Sequence, residues 1–331
     1  MAERIKIAQL GIGHMHAHKM KTIRAYPDIF DLVGVAEDDP KQRAEFSGLE
    51  YYQGLKWMSE AELLAVPGLQ AVLVEKEEHD TVSAALRCIQ AGKHIHCDKP
   101  GGESLPPFKQ LLDEAKSRKL TLQMGYMYRN NNAVEFCIKA VREGLLGNIF
   151  EIDTVMTRFD GEDFRKIINT FKAGAPYIFS CHLIDLVVIL LGKPDRITPF
   201  ISRTRPDGVM DTGLAVFEYP HGCTATVRSG ITEVEGWERR NLTVCGDKGT
   251  IVIQPLEIVG DTSGGKLRMA LTEDRDGWKK GYQEVDLPPA KGRYDDQMLE
   301  FAKIVRGEIA NPYSYEHDLL VQDCVLKACG L

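Results

Sequence analysis

An apolar run at residues 5–10 ends in a Gly-Ile-Gly turn, and from there to residue 124 short β-branched runs alternate with longer amphipathic stretches. Residues 5–10, 32–36, 71–74, 94–97 and 121–124 carry the compact apolar pattern of buried strands. Apolar positions at helical spacing predict helices over 14–26 (ending before Pro27), from near Pro40, over 81–91 and over 104–118. Gly92 follows one of them, where a helix C-cap places glycine. Strand and helix in alternation imply right-handed βαβ crossovers and a parallel, doubly wound sheet.

Beyond residue 124 the rhythm changes. A helix over 132–143 leads into a strand over 149–157, and a strongly apolar helix spans 177–191. From Ile197 onward, runs at 213–219, 224–230, 241–244 and 250–253 alternate without helical spacers, the pattern of a mostly antiparallel sheet. Helical periodicity returns at 294–306 and 316–329, and neither repeats nor low-complexity tracts are expected. The boundary is placed between Met124 and Arg129. The first domain takes residues 1–125 and the second, of α+β type, takes 126–331, with final helices that can pack back on the first.

The 331 residues suit two domains, and 44% hydrophobic with 27% charged residues is ordinary globular composition. A net charge of −7 gives no electrostatic reason to expect nucleic acid or an anionic membrane as partner. The start runs straight into a strand without an apolar signal core, and the run over 183–191 is broken by Asp185 and too short to span a bilayer. Eight scattered cysteines (88, 97, 137, 181, 223, 245, 324, 329), none in a CxxC pair, suit buried thiols in a reducing, cytoplasmic setting.

Gly11 and Gly13 directly follow the first strand and open a helical stretch. Glycines there allow a tight turn and let backbone approach a pyrophosphate, so Ile12, His14 and Met15 become cofactor-side candidates. The third fingerprint position is His16 instead of glycine. Glu37 at the end of the second strand can accept hydrogen bonds from a ribose diol and repel a 2′-phosphate, which favours NAD over NADP; Asp38 is the alternative acid. The context is that of a Rossmann dinucleotide-binding domain. On a helix, His14, His16 and His18 would point about 200° apart at each second residue and could not share one ion, so no metal is expected and phosphate-adjacent or solvent-facing roles are.

Ala91–Pro100, AGKHIHCDKP, strongly resembles the lysine-proline element of the Gfo/Idh/MocA oxidoreductases. The run Met124-Gly125-Tyr126-Met127-Tyr128-Arg129 is similar to that family's entry into its second domain. Residues 242–250 are similar to its late hairpin, and residues 312–318 to the start of its C-terminal helix. The resemblance covers nearly the whole chain. It implies a Rossmann domain followed by a domain built on a large open, mostly antiparallel sheet, through which many members form homodimers or homotetramers. It also implies NAD(P)-dependent hydride transfer at a carbinol or carbonyl carbon of a sugar, cyclitol or related diol.

The resemblance carries a catalytic role to Lys99. An ammonium there would hydrogen-bond the reacting oxygen and stabilise alkoxide charge. Asp98 stands for the commoner Glu, and Pro100 fixes the turn. His182 and Asp185 reproduce the family's H-x-x-D element on one helical face, with His182 as base or relay. Tyr126, Tyr128, Arg129 and Tyr177 are candidates to line the substrate cleft, with Arg158 and Trp237 weaker ones.

Two departures stand out. Ile178 and Ser180 replace the family's Asp and Gly, leaving Tyr177, Asp160 or Asp163 to compensate. Residues 75–79, EKEEH, replace the usual Thr-Pro-Asn turn, with His79 kept as a cofactor candidate. The missing acid motivates two other readings: a catalytically inactive NAD-binding sensor, and a redox-neutral NAD-using glycoside-cleaving variant.

Overall fold

A computed structural model describes residues 3–258, 265–289 and 291–331. The chain divides into two compact units, residues 1–126 with 294–319, and residues 127–293 with 320–331.

The first unit is built on a six-stranded sheet. Its strands are β1 (Ile5–Leu10), β2 (Phe30–Ala36), β3 (Trp57–Met58), β4 (Ala71–Val74), β5 (His94–Cys97) and β6 (Leu122–Met124). They lie in the order 3-2-1-4-5-6, all parallel, which is the doubly wound arrangement. Helices α1 (Met20–Ala25), α2 (Pro40–Phe46), α3 (Glu60–Leu64), α4 (Thr81–Gln90) and α5 (Leu105–Ser117) follow the strands. β4 is buried along its whole length, as a central parallel strand with both faces covered must be.

Register does the positioning. Leu10 pairs with Ala36 and with Val74, and Val74 pairs with Cys97. The next residue of each strand therefore emerges in one row at the carboxyl edge: Glu37, Gly11, Glu75 and Asp98. That edge, beside the reversal of strand order, is where ligands of open α/β sheets bind.

The expected helix over 14–26 is shorter than its pattern. Residues 14–16 form a turn, Ala17–Lys19 a 3-10 segment, and α1 begins only at Met20. His14 and His16 are therefore not on a helix. They are buried rather than solvent-facing, at 3% and 9% exposure.

The second unit holds α6 (Asn132–Arg142), β7 (Ile149–Thr157), α7 (Glu162–Ile168) and α8 (Ala175–Leu191). β8 (Arg196–Ser202), β9 (Thr212–Glu218), β10 (Thr224–Gly230), β11 (Asn241–Gly246), β12 (Gly249–Ile253), β13 (Leu267–Leu271) and β14 (Gly281–Glu284) follow. The eight strands lie in the order 14-13-12-11-7-10-9-8. Every pairing is antiparallel except β7 with β10, so the sheet is mixed at its centre. α8 packs against β7, β9 and β10, and its residues 175–188 are all buried. Gly174 enters α8 with φ +60, and a Cβ there would stand 2.2 Å from the Met210 carbonyl oxygen. α9 (Asp295–Val305) belongs to the first unit, and α10 (Tyr315–Ala328) begins in the first and ends in the second.

The eight cysteines form no disulfide, and all but Cys245 are buried. No described helix is long and apolar enough to cross a membrane.

Candidate active site

At the carboxyl edge of the first sheet the row of strand ends becomes a buried polar cluster. The Lys19 ammonium binds the carboxylate of Asp98 and lies 2.9 Å from that of Glu75. His16 Nδ1 is 3.2 Å from Asp98 Oδ1, and His14 Nδ1 is 3.3 Å from Asp98 Oδ2. His14 Nε2 faces Glu78 at 3.5 Å. Lys99 donates its backbone N–H to Asp98 Oδ1 at 2.8 Å and is itself buried.

Two carboxylates and one ammonium in so dry a place cannot all keep their ordinary protonation. Burial pushes the Glu75 carboxyl well up, against the pull of Lys19. Against the same upward push, His14, Lys19 and His16 hold Asp98 well below the usual carboxylate range. Burial lowers both His14 and His16, which keeps the two rings neutral near pH 7. Donor atoms of His14, His16 and Asp98 lie within 4.8 Å of one another, so two of the three histidines do converge once the segment is not helical. Asp98 is engaged by Lys19, by the His16 ring and by the Lys99 backbone N–H, whereas His14 Nδ1 accepts the backbone N–H of His16.

The glycine turn is tied to its neighbours. Glu37 accepts from the backbone N–H of Ile12 at 3.1 Å and of Asp39 at 3.0 Å, and from the Lys76 ammonium at 2.6 Å. Gly11 has φ +91, and a Cβ there would meet the Lys76 backbone nitrogen at 2.5 Å. A Cβ at Gly13 would meet only the Gln42 side chain, a flexible group. Met15 is 59% exposed, and Asp38 and His79 are exposed as well. Tyr126 follows β6 and is buried.

In the second unit, Tyr128 and Arg129 sit in the 3-10 turn Met127–Asn130. Arg129 grips Asp185 of α8 with Nε at 2.9 Å and Nη2 at 2.6 Å, and both side chains are buried. Three residues earlier on α8, His182 meets the Tyr128 ring edge-on at 5.4 Å between centroids. Thus His182 and Asp185, one face apart in sequence spacing, are held by consecutive residues of one turn. Tyr177 is buried against Phe171 in the first turn of α8. Asp160 is occupied by Arg158 at 2.5 and 2.6 Å, and Asp163 pairs with Lys166 on the surface. Arg240 stacks on Trp237 and pairs with Glu257 at 2.5 Å.

A family model described as an oxidoreductase family, NAD-binding Rossmann fold, matches residues 5–126, and the corresponding GFO/IDH/MocA C-terminal domain model matches residues 136–252. The chain belongs to the GFO/IDH/MocA family. It is 23% identical over 312 residues to a myo-inositol 2-dehydrogenase of Thermotoga maritima, covering 92% of this chain and 88% of that protein. It is also 23% identical over 269 residues to a bovine trans-1,2-dihydrobenzene-1,2-diol dehydrogenase, covering 79% and 73%. The fold of an aldose-aldose oxidoreductase from Caulobacter crescentus matches with a TM-score of 0.81 at 19% identity, over 99% of this chain and 98% of that one.

The residues present fit the adenosine end of a dinucleotide. Glu37 is a buried acid beside the turn, Gly11 has the backbone only glycine adopts freely, and Gly13 leaves an approach blocked only by a movable side chain. Sequence reasoning missed Lys19 as a member of this cluster, and Glu75 and Lys76 entered only as part of an unusual turn. Strand ends carry a readable signal. A lysine that becomes buried because two carboxylates converge on it does not.

Proposed function

We propose that the protein is an NAD-dependent dehydrogenase or reductase acting on a carbinol or carbonyl carbon of a sugar, cyclitol or related diol. The observation that carries this reading is Lys99, buried at the carboxyl edge of the dinucleotide-type sheet with its backbone pinned to the Asp98 carboxylate. When bound, the nicotinamide ring supplies the hydride acceptor or donor. Gly11, Ile12, Gly13, His14 and Met15 would lie along the cofactor and Glu37 would take the adenosine ribose diol, with Asp38, His79, Asp98 and Pro100 as further cofactor-side residues. Lys99 would hydrogen-bond the reacting oxygen and stabilise negative charge on it. His182 would serve as base or relay for the hydroxyl proton, and Asp185 would act through Arg129 to hold the turn that orients Tyr128.

Selectivity for NAD follows from the acidity around the ribose position, where Glu37, Asp38 and Asp39 are adjacent in sequence and Lys76 offsets one charge. Buried thiols suit a cytoplasmic setting. Exposed Phe150, Phe200 and Tyr282 on strands or strand ends of the second unit support self-association through that sheet.

The test is a panel of sugars, inositols and dihydrodiols followed by NADH or NADPH absorbance. Turnover with NAD on at least one member is expected, and Lys99→Ala should reduce it at least about a hundredfold while NADH affinity changes little. No turnover across the panel overturns the reading. Stronger thermal stabilisation by NADP than by NAD overturns the role given to Glu37.

A further inference from the structure

His16 occupies the third position of the dinucleotide fingerprint, where glycine would leave no side chain to place. Its ring goes inward to Asp98, with Nδ1 3.2 Å from Oδ1. An ionised carboxylate only accepts hydrogen bonds, so Nδ1 carries the proton and Nε2 is the basic nitrogen. The same Asp98 oxygen accepts the backbone N–H of Lys99, which makes His16 and Lys99 neighbours on one carboxylate.

His14 is not equivalent. Its Nδ1 accepts the backbone N–H of His16 at 3.0 Å and its side chain is wholly covered. The His16 side chain is 11% exposed, whereas those of Asp98, Lys19 and Glu75 are at 0%. His16 therefore forms the outer edge of the cluster. The charged and titratable groups around it are Asp98 and Lys99 from the loop after β5, His14 and Lys19 from the glycine turn and the 3-10 segment, and Tyr294 before α9.

We propose that His16, oriented by Asp98, is a catalytic base of this enzyme, taking the hydroxyl proton of the substrate oxygen that Lys99 holds. This rests on the dehydrogenase reading above. In the alcohol-oxidising direction the O–H bond breaks and its proton goes to His16 Nε2. The oxygen keeps the electron pair and forms the carbonyl bond, while the C–H pair leaves as hydride to the oxidised nicotinamide. Reduction runs the same transfers backwards. Burial holds the imidazole neutral, the form a base needs.

The test compares wild type, His16→Gln, His16→Gly and His182→Gln, using the substrate found in the panel. Wild type should show a kcat that falls on the acid side with unit slope. Both His16 variants should lower kcat by about 10²–10⁴-fold and lose that acid limb. KM, and NADH affinity read by fluorescence, should stay within a few-fold. His16→Gly restores the fingerprint glycine and serves should the glutamine variant misfold. A long-range proton–nitrogen NMR spectrum of the cofactor-free protein should show the Nδ1–H tautomer for His16. An Nε2–H tautomer overturns the proposal, as does an acid limb that moves with His182→Gln and not with His16→Gln. Wild type that turns over nothing overturns the dehydrogenase reading and this inference with it. An active wild type matched by an unaltered His16→Gln overturns the inference alone.

Discussion

Asp185 lies on an apolar helix and is fully buried, and Arg129 meets its carboxylate with two donors. Asp185→Asn should cost about 3–5 kcal/mol of stability, since it breaks one side of a buried ion pair. An Arg129→Met, Asp185→Leu double variant removes both charges and should recover most of that loss. Urea unfolding of wild type, Arg129→Met, Asp185→Leu and the double variant measures the coupling, and additive losses would contradict the pairing. The H-x-x-D spacing made His182 and Asp185 legible as a pair on one face. Their partners were not legible, because Tyr128 and Arg129 lie more than fifty residues away and reach α8 only through tertiary packing. Lys99 was readable for the opposite reason: its neighbours in sequence are its neighbours in space, and Asp98 pins it locally.

Elements were legible where their ends were marked. β4 and β5 have the expected bounds, and those bounds fix which residues emerge beside Gly11. The two-residue β3, the five-residue α3, and β13 and β14 are too short or too weakly alternating to show a period. The helix expected over 14–26 begins late because its first polar groups have other partners. The His14 N–H goes to the Glu75 carbonyl and the His16 N–H to the His14 ring. α3 did carry a readable signature, for Ser59 and Glu62 form a complete capping box. Ser59→Ala should cost about 1 kcal/mol in urea unfolding. Glu62→Ala on that background should add little, because each side chain caps the other's end of the same motif. A full second loss would show that the two act independently.

The molecule as a whole pays for its buried histidines in acid. His14, His16, His94 and His96 are all pushed down by burial, His96 from 6.5 to about 3, while the unfolded chain protonates them near 6.5. Below that pH the unfolded state binds more protons than the folded one, so stability falls. The loss is about 1.4 kcal/mol per pH unit for each histidine that stays neutral. Glu75 works the other way, since its raised value lets the folded state take a proton first as pH drops towards 4.5. Asp98, held low, contributes stability above about 3.8 and loses it only below that, and Lys19, held high, matters only in strong base. Four lowered histidines against the raised Glu75 and Glu77 leave a net loss between about pH 6.5 and 4.5. His96 donates its Nδ1–H to Gln123 Oε1 at 2.9 Å on the strand pair β5–β6 and packs on Phe301. His96→Gln removes one titrating group from the sheet and should flatten the pH dependence by about one histidine's share, whatever it does to stability at pH 8. Chemical unfolding at half-unit steps from pH 8 to 4.5 reads both curves, and parallel slopes would mean that His96 is not neutral in the folded chain.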